Sequence, residues 1–284
     1  MSYLERILDC NRYDLSRFRP FIVGERRFGW VRDDFAAKLE EFSTVFKVSD
    51  NAVAIAPDLT SYDARSEAAH DVITELHKRG DIDTWVNEPF PVTGAFDEEP
   101  VMEVERSSIL YLGLPGFGIH MNGLVQTDDG IHVWIGTRSR EKPFFPGKLD
   151  QMVAGGQPLR ISLEDNLIKE CKEEANIPED IARTAQPRGA VHYLQECSRG
   201  LDISTIFLYD LWIPEEFEPE NTDGEVESFA LIPLGEVARL TDETTLFKDN
   251  CNLVNVDLLI RSGVITPEHP DFGEMERLLY TVPY

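Results

Sequence analysis

Three glutamates near the middle of the chain have the spacing of a shared binding surface. Glu170, Glu173 and Glu174 occupy positions i, i+3 and i+4 of a predicted helix, and such positions lie on one face. Three carboxylates held together repel one another unless a positive charge lies among them. Divalent cations such as Mg²⁺ prefer carboxylate and phosphate oxygens as ligands. The spacing therefore predicts a metal site that also binds a diphosphate.

Both ends of the helix that carries these glutamates are visible in the sequence. Ser162 suits the N-cap position, and Asp165 follows three residues later as in a capping box. Asn176 can adopt the left-handed conformation that ends a helix, and Pro178 prevents the helix from continuing. An apolar stripe beside the glutamates predicts that the helix is anchored on a core while the carboxylates face a cleft. The stripe consists of Leu163, Leu167, Ile168, Cys171 and Ala175.

The composition disfavours several kinds of partner. The 284 residues carry a formal net charge of −25, so we expect no binding to nucleic acid or to an anionic membrane surface. A metal ion can still reverse the local charge for a small phosphorylated substrate. The four cysteines form no CxxC pair, which disfavours a zinc site. The sequence has no signal-peptide-like or membrane-spanning apolar run, and we expect a cytoplasmic protein; its oligomeric state stays open.

The chain is predicted to contain two domains, a small α+β domain over 1–105 and a larger domain over 106–284. The first begins with a short helix and contains two pairs of short strands and two further helices. The last of these is predicted over 66–79 from its amphipathic spacing and stops at Gly80. It either caps the second domain or supplies residues that recognise the substrate.

The second domain is predicted to be an α/β/α sandwich with a mixed sheet. An Asp-Asp-Gly turn joins two strands at its start, and a short strand over 149–154 leads into the glycine pair Gly155–Gly156. Further strands are predicted over 189–194, 203–211 and 228–232. Helices over 234–240 and 252–261 close the domain.

A longer pattern around the glutamates resembles the Nudix box, G-x5-E-x7-R-E-U-x-E-E-x-G-U, where U is a bulky apolar residue. Gly155 falls on its opening glycine and Ile177 on its final apolar position. Glu170, Glu173 and Glu174 fall on the three glutamates that bind metal in that family. The resemblance implies a hydrolase with the Nudix fold and with Mg²⁺ or Mn²⁺ as its cofactor.

Three positions depart from that pattern. Ile161 stands in place of the first glutamate, Lys169 in place of arginine and Asn176 in place of the second glycine. The first two positions normally support the catalytic glutamate. Lys169 keeps the positive charge without the planar guanidinium group, and Asn176 keeps the ability to end the helix.

Four other segments resemble the Nudix subgroup related to thiamine pyrophosphokinase, which has a distinct N-terminal domain. They are DLSRFRPFIVGERRFGWV, ERSSILYLGLPGFGIHMNG, WIGTRSREKPFFPGKLDQMVAGG and NTDGEVESFAL. Members of the subgroup are associated with hydrolysis of thiamine diphosphate analogues, notably oxidised, damaged forms. The resemblance implies that such an analogue is cleaved to its monophosphate and inorganic phosphate.

The same resemblance implies the roles of individual residues. Glu170 or a neighbour would be the base for a water molecule that attacks phosphorus, and the Gly155 carbonyl would be a further metal ligand. A downstream carboxylate often completes such a site, and Glu225 and Glu227 are the candidates, with Glu196 behind them.

The basic residues that follow the first two strands are candidates for binding the substrate's phosphates, because phosphate favours Arg and Lys partners. They are Arg138, Arg140 and Lys148. His120 and His192 are interpreted as strand or core residues rather than as catalysts.

Two alternatives remain open from the sequence. The first keeps the fold and the reaction but replaces the substrate by a nucleoside diphosphate derivative, such as a nucleotide sugar. The second is a sensor that binds a diphosphate without cleaving it, which Ile161 and Lys169 favour. A hydrolysis screen or calorimetry in the presence of Mg²⁺ separates these hypotheses.

Overall fold

In the computed structural model, which describes residues 2–142 and 144–283, helices and strands alternate along the chain. The helices are α1 (Tyr3–Asp9), α2 (Asp33–Leu39), α3 (Tyr62–Lys78), α4 (Ile109–Leu112), α5 (Leu163–Ala175), α6 (Glu179–Ala182), α7 (Leu234–Glu243), α8 (Cys251–Arg261) and α9 (Phe272–Tyr280). The strands are β1 (Phe18–Val23), β2 (Arg26–Arg32), β3 (Phe46–Ser49), β4 (Ala52–Ile55), β5 (Pro89–Val92), β6 (Met102–Glu105), β7 (Pro115–Thr127), β8 (Gly130–Arg138), β9 (Leu149–Gln151), β10 (Val153–Gly156), β11 (Gln186–Cys197), β12 (Gly200–Trp212) and β13 (Val226–Pro233).

The N-terminal part contains a four-stranded sheet in the order β2-β1-β4-β3. Gly24, with a φ of 64°, makes the turn between β1 and β2, because a positive φ has little steric cost for glycine. The predicted amphipathic spacing of α3 is present, and its apolar face is buried in the core of this part, together with Phe21 and Val53. A two-stranded sheet, β5-β6, follows α3.

The larger sheet is mixed, as predicted. Its main order is β11-β12-β7-β8-β13, with β12 parallel to β7 and the other pairs antiparallel. One edge of β7 is shared, since β10 pairs with its first half and β8 with its second half. The sequence predicts a single strand over 149–154, and this is wrong. The chain crosses from β8 to β7 at the fully buried Met152, so β9 pairs with β8 and β10 pairs with β7.

Helices cover both faces of the larger sheet, which confirms the predicted α/β/α sandwich. One face packs against α1, α7, α8 and α9, and the other packs against α5 and α6. No helix of the described residues is both long and apolar enough to cross a bilayer.

The observed cores do not follow the predicted boundary at residue 105. Helix α1 packs on the C-terminal helices, with Ile7 and Cys10 inside their core. Leu112 and Leu114 lie beyond residue 105 but are buried in the core of the N-terminal part. The division into 1–105 and 106–284 stays a prediction.

Candidate functional site

Helix α5 is fixed at both ends by the predicted caps. The Ser162 hydroxyl accepts a hydrogen bond from the Asp165 N–H at 3.0 Å. Asn176 has a φ of 51° and ends the helix in the left-handed conformation. Leu167, Cys171 and Ala175 are buried against the sheet. The helix therefore has one rotational setting, which determines where its glutamates point.

The three glutamates differ in exposure. Glu173 is about half exposed, the Glu170 side chain is 13% exposed, and Glu174 is only 7% exposed. The Glu174 carboxylate accepts a hydrogen bond from the Ala154 N–H of β10 at 2.7 Å. The sequence predicted that all three glutamates lie beside the apolar stripe. Glu174 instead lies partly between the helix and β10.

Gly155 brings β10 and α5 together. A Cβ atom at this position would lie 2.4 Å from Cδ of Glu170 and 2.7 Å from its Oε1. Only a glycine leaves room for the Glu170 carboxylate, which therefore lies directly against the Gly155 backbone. This contact explains why Gly155 and Glu170, which are fifteen residues apart in sequence, belong to one site.

The charges of this cluster suit a cation. Burial raises the pKa of Glu170, and Glu173 and Glu225 raise it further by repulsion. Burial also raises the pKa of Glu174 well above its ordinary value, with Asp150, Glu170 and Glu225 adding to the effect. Among the described residues, no Lys, Arg or His nitrogen lies within 4.0 Å of the Glu174 carboxylate. A divalent cation would relieve this repulsion, and the donor set of carboxylates plus a backbone carbonyl fits Mg²⁺.

Lys169 lies where the motif has arginine, and it contacts two of the glutamates. Its Nζ is 3.1 Å from Glu170 Oε1 and 3.0 Å from Glu173 Oε2. Ile161 lies where the motif has its first glutamate, and its backbone carbonyl accepts a hydrogen bond from Gln157 Nε2 at 2.7 Å. The lysine thus supplies a supporting charge, whereas the loop at Ile161 is held through its backbone.

The structure distinguishes the two downstream carboxylates. Glu225 pairs with Lys142 and lines the space beside Glu170 and Glu174. Glu227 is about half exposed and lies 3.5 Å from Arg140, without lining that space. Glu196 pairs with Arg17 at 2.5 Å.

A cavity of about 590 Å³ opens beside the glutamates, and we call it the glutamate cavity. Glu170, Glu173, Gly155 and Gly156 line one side of it. The N-terminal part contributes Thr84, Val86 and Phe90, and Arg106 follows directly after β6. Neighbouring strands β10, β7, β12 and β11 supply the rest of its floor. The cavity therefore lies between the two parts of the chain.

The predicted phosphate-binding residues have different positions. Arg138 lines the glutamate cavity, but its guanidinium is 2.7 Å from Asp150 and also donates to the carbonyls of Phe144 and Phe145. Arg140 is largely exposed. Lys148 donates to the carbonyl of Thr245 and does not line the cavity. Their roles in substrate binding stay predictions.

The structure adds basic residues that the sequence did not propose for phosphate binding. Arg106, Arg199 and Lys248 line the glutamate cavity, as does Lys142 from the basic patch that contains Arg138 and Arg140. Arg106 lies over the glycine pair, because a Cβ at Gly156 would be 2.2 Å from its Nη2. Its Nη1 donates to Glu88 at 2.7 Å. Apart from Lys142, no local pattern marks these residues, since each comes from a different part of the chain.

A second buried cluster lies behind the cavity and is not a cation site. His120, Asp150 and Cys251 have ligand atoms within 4.8 Å of one another. Asp150 is already paired with Arg138 and lies 3.8 Å from Lys248, and the Cys251 thiol donates to it at 2.9 Å. Two basic side chains would repel a metal ion here, so we interpret the cluster as a set of buried contacts that stabilise the fold.

The chain matches known proteins along most of its length. Residues 2–115 match a family model described as a domain of unknown function, DUF4743. Two chloroplastic proteins of Arabidopsis thaliana, Nudix hydrolase 20 and Nudix hydrolase 24, are 40% and 39% identical to the chain. Each alignment covers 98% of this chain and 77% of the relative. The chain belongs to the Nudix hydrolase family.

Nudix hydrolases act on phosphorus-containing acid anhydrides, hydrolyse diphosphate bonds and generally need divalent metal ions. This confirms the resemblance that the glutamate motif carries. A solved structure of the Nudix domain of Shewanella oneidensis NrtR with ADP ribose is 16% identical, with a TM-score of 0.38, and covers 52% of this chain and 88% of its own. The family assignment depends on the Arabidopsis relatives. Both are named chloroplastic, so the expectation of a cytoplasmic Nudix hydrolase is wrong and the names point to a plastid.

Proposed function

We propose that this Nudix hydrolase cleaves the diphosphate bond of a small organic diphosphate, and that its substrate is an oxidised or otherwise damaged analogue of thiamine diphosphate. The products would be the monophosphate and inorganic phosphate. One observation carries the reaction type: Glu170 lies against Gly155 and the buried Glu174 accepts from the Ala154 N–H, beside a cavity with several basic side chains. The flanking segments that resemble the thiamine-related subgroup support the choice of substrate. The names of the Arabidopsis relatives support a plastid as its compartment.

The donor set supports Mg²⁺, or Mn²⁺ in its place, as the metal. We propose Glu170, Glu173, Glu174 and the Gly155 carbonyl as its ligands. Glu225 is a better further ligand than Glu227, because it lines the same space as Glu170 and Glu174. When bound, the metal would neutralise the phosphate oxygens and lower the pKa of a coordinated water.

The chain's own residues account for the remaining steps. Glu170 is the candidate base, since burial raises its pKa and so makes it a better proton acceptor. A water oxygen forms a bond to phosphorus, the bridging P–O bond breaks, and Glu170 takes the water's proton. Arg106 and Lys142 both line the cavity and would bind the phosphate groups of the substrate.

Purified protein should be tested against thiamine diphosphate, its oxidised analogues, nucleotide sugars and dinucleotides, with phosphate release as the readout. We expect fastest turnover with an oxidised thiamine diphosphate analogue, strict dependence on Mg²⁺ or Mn²⁺, and loss of activity with a chelator. Preference for nucleotide sugars would contradict the proposed substrate and leave the reaction type intact. Binding of diphosphates without turnover of any of them would contradict hydrolysis itself.

A further inference from the structure

A trough in the floor of the glutamate cavity leads away from the metal-ligand candidates, and glycines on β10 and β7 give it no side chains at these positions. Gly155 and Gly156 on β10 lie beside Ile119 and Gly118 on β7, and Gly116 follows on the same face of β7 as Gly118. The next strand, β12, places Ser204 beside Gly116 and Ile206 beside Gly118. A ligand can therefore lie across β7 with little obstruction.

A polar group ends this trough. Asp202 and Ser204 share a face of β12, and Tyr193 lies beside Ser204 on β11. The Ser204 hydroxyl donates to Asp202 Oδ1 at 2.6 Å, and the Tyr193 hydroxyl donates to Oδ2 at 3.0 Å. All three residues line the glutamate cavity. The two hydroxyl groups hold the carboxylate plane in one orientation, and each of its oxygens keeps a second lone pair.

Asp202 differs from the other buried aspartates of this domain. Asp150, Asp210 and Asp257 each lie within 4.0 Å of an Arg or Lys nitrogen. Within the described part of the chain, Asp202 has no such ion pair, and the nearby Lys248 directs its own contact to Asp150. A carboxylate that is oriented, partly buried and unmatched in charge at the end of a cavity is a site for a complementary ligand group.

The distance along the trough suits one small molecule. Gly156 and Asp202 are separated by two strand spacings across the sheet and by four residues along β12, which places their backbones roughly 16 Å apart. Gly156 shares the face of the sheet that carries Asp202, so an extended substrate with its diphosphate at the glycine pair would direct the far end of its organic group towards Asp202.

We infer that Asp202, oriented by Ser204 and Tyr193, is the specificity residue for the organic half of the substrate, and that it accepts a cationic nitrogen heterocycle or one that presents N–H donors. This rests on the proposed function for the position of the diphosphate. An amino-substituted ring or a heterocyclic cation would supply the charge or the donors that Asp202 lacks. An alkyl or prenyl group would leave the carboxylate buried and unpaired, which disfavours such substrates.

The test compares Asp202→Asn with wild type on two kinds of diphosphate. Thiamine diphosphate has an aminopyrimidine and a thiazolium ring, whereas isopentenyl diphosphate has neither. We expect the variant to lose about tenfold or more in kcat/KM for thiamine diphosphate. Its kcat/KM for isopentenyl diphosphate should be unchanged or higher. Equal losses on both substrates, or no loss on either, would overturn the inference.

A binding measurement separates this inference from the proposed function. Calorimetry with thiamine alone, which has no phosphate, should show binding to wild type and at least about tenfold weaker binding to Asp202→Asn. Ser204→Ala should weaken it less, because the carboxylate stays in place. Equal affinity for wild type and Asp202→Asn, or no binding to wild type, would refute the role of Asp202. If thiamine binds as expected but no diphosphate is cleaved, the proposed function fails while the inference stands.

Discussion

Gly155 is the residue on which the position of Glu170 depends. Its φ is not in the left-handed region, so alanine is allowed by the backbone, and only the side-chain contact is changed. A methyl group 2.4 Å from Glu170 Cδ would force the carboxylate away from the glycine backbone. We expect Gly155→Ala to reduce kcat/KM by about a hundredfold, since positioned charge is worth this much in comparable sites.

The control for this variant is Gly235→Ala. Gly235 is in α7, and nothing lies within 4 Å of a Cβ built there. Alanine should raise the free energy of unfolding by roughly 0.5–1 kcal/mol and leave kcat/KM unchanged. A Gly155→Ala enzyme with full activity would show that Glu170 does not need the glycine contact.

Removal of the charge on Glu174 should affect the activity and the stability of the protein in different ways. Its carboxylate is buried and has a backbone N–H donor but no basic partner among the described residues. Glutamine keeps the size of the side chain and removes the charge. We therefore expect Glu174→Gln to unfold at the same or a higher temperature in the absence of metal, because a buried unpaired charge is costly. We also expect kcat to fall by about a hundredfold or more.

These two effects can be measured by calorimetric unfolding and by phosphate release. A variant that loses both activity and several degrees of Tm without metal would indicate that Glu174 stabilises the fold instead.

The glutamate triplet was predictable from the sequence because it lies within one helix. Its unequal burial was not, since that depends on how closely β10 approaches α5.

A chain of hydrogen bonds joins the larger sheet to the helices on one of its faces. His120 on β7 bonds through Nδ1 to Gln151 Oε1 on β9 at 2.7 Å. Gln151 Nε2 donates to Asn255 Oδ1 on α8 at 2.9 Å, and Asn255 Nδ2 donates to Thr241 on α7 at 3.0 Å. Because a carbonyl oxygen can only accept, Nδ1 of His120 carries a proton and donates, and burial keeps the ring neutral by lowering its pKa.

Protonation of His120 at Nε2 should destabilise the fold, because it places a positive charge on a buried ring, although the hydrogen bond from Nδ1 to Gln151 remains. Burial lowers the pKa of His120 from 6.5 to about 4. In the unfolded chain the ring takes up its proton near pH 6.5, whereas in the folded protein it does so only near pH 4. The stabilisation is therefore complete above pH 6.5 and is lost as the pH falls towards 4. The loss should reach about 3 kcal/mol, because each tenfold difference in proton affinity between the folded and unfolded chain contributes about 1.4 kcal/mol.

The comparison needed is between wild type and His120→Gln, which keeps an N–H donor but does not titrate. Denaturant unfolding between pH 7 and pH 4 should give a steeper loss of stability in wild type than in the variant. Parallel profiles would mean that the ring titrates normally.

Elements with local signals were predicted well, and those that depend on distant partners were not. The caps of α5 and the amphipathic pattern of α3 are written within the elements themselves, although α3 begins at Tyr62, a turn earlier than predicted, since Ser61 caps it. The break between β9 and β10 has no local signal, because it arises from the shared edge of β7. Helix α9 was also missed, although it covers β11.

In the whole molecule, the N-terminal part lines one side of the glutamate cavity with Thr84, Val86 and Phe90, and we call this segment the N-terminal wall. Glu105 organises this wall, since its buried carboxylate accepts hydrogen bonds from the backbone N–H groups of Val86, Asn87 and Glu88. The fixed loop then holds Glu88 against Arg106. The sequence left open whether this part caps the second domain or recognises the substrate. Its Glu88 accepts a hydrogen bond from Arg106, which lies over Gly156, and this contact favours recognition.

Arg106 should therefore contribute to substrate binding across the two parts of the chain. We expect Arg106→Gln to raise KM for the preferred diphosphate by about tenfold or more, because a guanidinium–phosphate contact is a charge-assisted hydrogen bond. The change in kcat should be smaller, since Glu170, Glu173 and Glu174 are unaltered. Steady-state kinetics with phosphate detection measures both constants.

Two further variants make this result specific to the cavity. Arg79→Gln removes an arginine that also pairs with glutamates but directly follows the end of α3, outside the glutamate cavity, and it should leave KM unchanged. Glu88→Gln keeps Arg106 but releases its partner, so the rise in KM should be smaller than in Arg106→Gln. Equal KM values for Arg106→Gln and wild type would show that the N-terminal wall only covers the site. A large fall in Tm for Arg106→Gln but not for Glu88→Gln would instead assign the arginine to the joint between the two parts.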